Sequence, residues 1–234
     1  MSLPYFLADD PSSGTLDGPE GRHAVTVKRI QVGEHIVLTD GRGTVAEVEV
    51  TELAGKDHMA GKVVELREVP RSRPTVTVVQ AIPKSERAEL AVDLATQGGA
   101  DEIVPWISHR TIARWQGAKV DKNVEKWRAT AREAAKQARR AWLPDVREPV
   151  TTPQLAEMIG DNPALVLHED AETKISEVNL DVDRLFLIVG PEGGIGEDEL
   201  ALLDAESVKL GSEVLRTASA AFAGLSAIGA LSRW

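Results

Sequence analysis

The chain has 234 residues, 42% of them hydrophobic and 27% charged, with 37 acidic against 27 basic side chains and a formal net charge of −10. That length suffices for one large domain or for a small and a medium one, and no apolar run approaches the roughly 18 residues of a membrane span. The lack of cysteine rules out disulfides and the commonest zinc sites, and His23, His35, His58, His109 and His168 are scattered without ligand spacing, so no metal is expected.

The opening Met1-Ser-Leu-Pro-Tyr-Phe-Leu-Ala-Asp-Asp10 carries no basic region or cleavage signal, which predicts a cytoplasmic protein without a membrane partner. Residues 36–50 read as two strands around an Asp40-Gly41 turn, and residues 62–66 as another, so a small β domain is expected before a break at Pro70 to Pro74. Arg22, Lys28 and Arg29 form a basic cluster there, joined by Arg67, Arg71 and Arg73. It can serve a nucleic-acid track or plain solubility. Beyond the break, short apolar strands at 75–79, 102–105, 165–167, 185–189 and 208–210 alternate with helical stretches, the pattern of a parallel α/β sheet.

Charge is unevenly distributed along this second part. From Lys119 to Arg147 there are nine basic residues against four acidic, whereas from Glu148 to Glu206 fifteen acidic residues face only Lys174 and Arg184. Helix formers dominate residues 123–141, and Arg128, Arg132, Lys136 and Arg140 recur every four residues, which places them along one face. A charge run of this kind is most often a solvated helix face; its alternative is a phosphate-binding stripe.

The segment Leu185-Phe-Leu-Ile-Val-Gly-Pro-Glu-Gly-Gly-Ile-Gly196 is an apolar strand that enters a glycine-rich turn, followed by Glu197, Asp198 and Glu199 at a helix start. Neither a dinucleotide-binding nor a P-loop spacing is present. Acidic side chains around the turn (Glu192, Glu197, Asp198, Glu199) argue against a phosphate and for a neutral or cationic ligand. Residues 164–170 and 208–217 supply two further apolar strands ending in special turns. Since ligands of open α/β sheets bind beyond the strand carboxyl ends, the three segments describe one pocket.

Gly190-Pro-Glu-Gly-Gly194, Leu210-Gly211 and Val214-Leu-Arg-Thr217 resemble the S-adenosylmethionine-binding loops of SPOUT methyltransferases. Within that superfamily, Gln80-Ala-Ile-Pro-Lys84, Ile103-Val-Pro105, Ser108 with Arg110, and Gln137 followed by Arg140 resemble the bacterial RsmE family, which methylates N3 of a uridine in 16S ribosomal RNA. Arg22-His23, Val32-Gly33 and Asp40-Gly-Arg-Gly43 are similar to that family's opening domain, and the likeness spans nearly the whole chain. It implies a PUA-like β-barrel that binds RNA at residues 1–72 and a SPOUT α/β domain with a C-terminal trefoil knot at 73–234, the chain being α+β overall. It further implies a homodimer acting on 16S ribosomal RNA or the small ribosomal subunit. Departures fall at Leu94, Gln97, Glu213 and Ala218, where the family usually has Lys, Glu, Arg and Glu.

The resemblance assigns the donor to Leu167, His168, Glu169, Val189, Gly190, Glu192, Gly193, Gly194, Leu210, Leu215, Arg216 and Ala218, and RNA to Arg22, His23, Arg29, Arg132, Lys136 and Arg139. Uridine N3 must lose a proton, so an arginine near a uracil oxygen would stabilise the developing charge. Arg140 and Arg216 are the candidates, though each could instead bind phosphate or cap a helix. Glu192 can act as base, face the sulfonium or satisfy its own turn. One of Trp106, Trp115, Trp127 and Trp142 is a candidate to stack on a flipped base, with the protein core as the alternative. Two other functions stay open: methylation of a different RNA such as tRNA, and a decayed RNA-binding or ribosome-assembly protein.

Overall fold

The computed structural model describes residues 3–84, 87–113 and 115–234. The chain divides into two compact units, one of Met1–Arg71 with Ala135–Leu143 and one of Ser72–Ala134 with Pro144–Trp234.

In the first unit, β1 (Tyr5–Leu7), β2 (Thr15–Leu16), a short α1 (Gly18–Arg22), β3 (His35–Thr39), β4 (Thr44–Ala54) and β5 (His58–Glu68) build a sheet in the order β1-β3-β4-β5-β2. Only β1 runs parallel to its neighbour. In β4 the buried Ala46, Val48 and Val50 face a core with Phe6, Leu16, Ile36, Leu38 and Met59, while Glu47 and Glu49 are half-exposed. Register shifts at Glu47/Val48 and Val50/Glu52 bend the long β4–β5 ribbon around that core. In the β3–β4 turn, the Asp40 carboxylate accepts hydrogen bonds from the amides of Arg42 and Thr44. Against this turn lies the later segment: Gly43 N donates to Ala141 O and Leu143 N to Gly41 O. A Cβ on Gly43, at φ +109°, would stand 2.6 Å from Trp142 Cζ2, so only glycine lets the indole approach.

The second unit carries β6 (Thr75–Ala81), α2 (Ala88–Gly98), β7 (Glu102–Ile107), α3 (Lys119–Gln137), β8 (Asp145–Val146), β9 (Val150–Thr151), α4 (Thr152–Ile159), β10 (Ala164–Leu167), β11 (Arg184–Val189), α5 (Glu197–Leu203), β12 (Glu206–Val208) and α6 (Thr217–Ile228). The last turn of α3, from Ala135, groups with the first unit. All pairings are parallel, in the order β12-β10-β11-β6-β7-β8, with β9 also beside β7. Helices cover both faces, which explains the uninterrupted apolar strands. Leu185, Leu187 and Val189 of β11 pack with α2, α3 and α6, whereas Phe186 and Ile188 pack with α4 and α5. The small residues of α6 serve this packing: a Cβ at Gly224 would stand 2.9 Å from Leu187 Cδ2. From α2, Gly98 leaves room for Leu225 in the same way.

Candidate functional site

Strands β10, β11 and β12 end side by side at Leu167, Val189 and Val208, and the chain leaves each through a polar or glycine-rich turn. Between these turns lies a cleft of about 590 Å³, within the usual range of small-molecule sites. Leu167, His168, Glu169, Val189, Gly190, Glu192, Gly193, Gly194, Leu215 and Arg216 line it. Leu210 lines a smaller recess that shares Leu167, His168 and Leu215 with the cleft. Of the residues that the resemblance assigns to the donor, Ala218 alone lies outside both, 3% exposed and packed inside α6.

The floor is built from backbone. At Gly190 a Cβ would stand 2.7 Å from Ile195 Cγ1. Gly194 adopts φ +72° and closes its turn by donating to Pro191 O, a conformation that other residues take only under strain. His168 Nδ1 accepts from the amide of Asp170, which fixes the turn after β10. Arg216 caps α6, where its carbonyl accepts from Ser219 N and Ala220 N, leaving the exposed guanidinium at the cleft.

Of the four acidic residues expected around the turn, Glu199 is the exception. It is 1% exposed, and its Oε1 accepts from His109 N at 3.0 Å and from Thr152 Oγ1 at 2.6 Å. Its place on the inner side of α5 removes it from the cleft. Asp198 pairs with His109 Nδ1 at 3.2 Å, while Glu192 and Glu197 remain exposed.

Arg140 is not among the lining residues. With Arg139 it ends α3: Arg140 N donates to Ala135 O, Arg139 N to Lys136 O, and Arg139 is left-handed at φ +55°. This is a Schellman motif in which an arginine holds the usual glycine position. The basic stripe is also interrupted. Arg128 is hydrogen-bonded to Glu125 and Glu148, and the first of these bonds holds its guanidinium above the ordinary range. Lys136 is buried, with Nζ donating to Glu20 Oε1 at 2.8 Å. Arg22, Arg29, Arg132 and Arg139 are exposed, whereas His23 stands half-buried, edge-on to Phe6. Trp106 and Trp127 are core residues, Trp115 packs edge-on against Trp127, and Trp142 lies under Arg71 while donating to Val69 O. Trp106 and Trp127 therefore take the core alternative, while Trp115 and Trp142 are half-buried.

Two further arginines belong to the cleft. Arg87 and Arg110 both line it, and Arg110 Nη1 donates to Gly193 O at 3.0 Å. They follow the carboxyl ends of β6 and β7, so the strand-end rule, applied to all the inner strands, finds them. Among the described residues no group of three or more His, Asp or Glu could hold a metal, and no helix is long and apolar enough to cross a membrane.

Residues 70–229 match the family described as RNA methyltransferase domain, and residues 16–64 the RNA methyltransferase PUA domain. A protein from Mycobacterium bovis named ribosomal RNA small subunit methyltransferase E is 47% identical across 97% of this chain and 90% of its own length. A Bacillus subtilis protein of the same name is 28% identical, covering 92% and 88%. The crystal structure of ribosomal RNA small subunit methyltransferase E from Neisseria gonorrhoeae bound to S-adenosylmethionine superposes with a TM-score of 0.86 at 25% identity, covering 99% of this chain and 98% of that one.

Proposed function

Since the chain belongs to the ribosomal RNA small subunit methyltransferase E family, we propose that it methylates N3 of a uridine in 16S ribosomal RNA, with S-adenosylmethionine as donor. The observation that carries this reading is the backbone-walled cleft at the ends of β10, β11 and β12. Its residues suit the donor. Gly190, Gly193 and Gly194 present backbone at the cleft wall, against which a flat adenosine can lie, and Leu167 and Leu215 line the same cleft. Glu169 and Asp170 suit ribose hydroxyls or an ammonium, and the cleft arginines suit a carboxylate.

When bound, the sulfonium supplies an activated methyl group. The protein must orient the uracil edge and favour loss of the N3 proton. Arg216, at the cleft wall, is the residue we assign to the uracil oxygen, where a guanidinium stabilises negative charge as it develops. Arg140 retains a proposed role with Arg22, Arg29, Arg132 and Arg139 at the RNA, through phosphate contacts that position without reading sequence. The same reading has residues 1–72 acting as the RNA-binding PUA-like part, a knotted SPOUT part after it, and a cytoplasmic homodimer engaging the small ribosomal subunit. Exposed Leu215, Phe222 and Leu231, on or flanking α6, favour the dimer.

Calorimetric titration with S-adenosylmethionine, followed by methyl transfer to small subunits and mapping of the product, tests the proposal. Gly194→Arg should abolish saturable binding, because it strains a φ of +72° and adds charge near Arg110 Nη1. A folded dimer that binds RNA but no donor would leave a decayed RNA-binding relative.

A further inference from the structure

The β7–α3 loop and the glycine-rich turn are tied together from two sides. Glu199, in the first turn of α5, accepts the His109 amide and the Thr152 hydroxyl, and Thr152 Oγ1 in turn accepts from Trp106 Nε1 at 3.2 Å. Next to His109, Ser108 and Thr111 are buried and close a turn on themselves: Ser108 N donates to Thr111 Oγ1 and Thr111 N to Ser108 O. That turn points Arg110 back across the loop to Gly193 O. Buried carboxylates are expensive unless their hydrogen bonds are needed. Here Oε2 of Glu199 has no partner among the described residues, so the cost is accepted for the two bonds at Oε1.

We infer that Glu199 is a positioning residue which holds the 108–111 turn so that Arg110 fixes the glycine-rich turn in its donor-binding form before the donor arrives. Glu199 touches no ligand. It acts through Arg110, whose guanidinium bridges the 108–111 turn and the glycine-rich turn at Gly193 O. The inference depends on the cleft being the donor site. Pre-ordering of this kind raises affinity by removing the ordering cost from the binding step.

A double-mutant cycle tests it, with S-adenosylmethionine titrated calorimetrically into wild type, Glu199→Ala, Arg110→Ala and the double variant, alongside thermal unfolding. Each single change should weaken binding about tenfold, the worth of a hydrogen bond to a charged group, and the double variant should be no weaker than the worse single. Glu199→Gln keeps an acceptor oxygen and should restore most of the affinity. Losses that multiply, or a Glu199→Ala protein that melts earlier yet binds the donor normally, would overturn the inference. Amide exchange in the wild type checks it without any variant: donor binding should slow exchange at His109 together with Gly194, and an unchanged His109 would sink the latch. Wild type that fails to bind the donor refutes the cleft assignment itself, whereas normal binding with indifferent variants refutes only the role of Glu199.

Discussion

Arg29 and Arg139 share a backbone conformation, φ +55°, that costs an L residue about 1–2 kcal/mol relative to the right-handed region and suits glycine. Both side chains are exposed, and both stand among the residues proposed to meet RNA. Arg139→Gly should therefore stabilise the fold by roughly 0.5–1 kcal/mol and at the same time weaken RNA binding; thermal unfolding and a filter-binding titration read the two effects separately. A gain in stability without loss of affinity would return Arg139 to a purely local role. His58 offers a pH test. Its imidazole donates to Asp17 at 2.6 Å, and this bond holds its pKa above the ordinary 6.5. The protonated form is thus favoured in the folded state, and the contribution is complete below pH 6.5 and fades as pH rises through the raised value. The melting-temperature difference between wild type and His58→Gln should be larger at pH 6 than at pH 8.5. Of the positively charged residues spaced by four, sequence periodicity could reveal the helix but not that Lys136 turns inward to Glu20, because the partner is 116 residues away in the chain.

At the scale of elements, α6 is seated by what it lacks. Replacing Gly224 with Ala adds a methyl 2.9 Å from Leu187 Cδ2 in a filled core, an overpacking cost of about 1–3 kcal/mol that exceeds the roughly 1 kcal/mol gained in helix propensity. A melting point lowered by about 2–4 °C is expected, with donor binding otherwise intact. The parallel strands were legible in the sequence because burial on both faces makes them continuous apolar runs, as in Leu185 to Val189. The Gly-rich turn was legible for its missing side chains. Less so was Glu199: three consecutive acids at a helix start read as an exposed dipole complement, and only the position of α4 and β7 shows that the third points inward. Arg87 escaped for a related reason, and Arg110 stood out only as part of the Ser108–Arg110 family pattern, since each joins the cleft through a loop whose course the sequence does not fix.

For the whole molecule, a net charge of −10 sits uneasily with a polyanionic partner until its placement is considered. RNA affinity drawn from a few arginines should fall steeply with salt, with a slope of about −0.7 to −0.9 per phosphate neutralised. Arg132→Ala should reduce that slope by about one phosphate; an unchanged slope would assign Arg132 to the solvated helix face instead. The bare division near residue 72 expected from composition does not reveal that Ala135–Leu143 returns to the first unit, since Gly41, Gly43 and Trp142 meet only after folding. That return has a consequence in time. During synthesis the N-terminal sheet leaves the ribosome with the seat for Trp142 empty, and it stays open while some sixty intervening residues of the second unit are made. The first unit is begun first and finished late, so a nascent chain arrested before residue 143 carries an N-terminal part that cannot yet complete its fold.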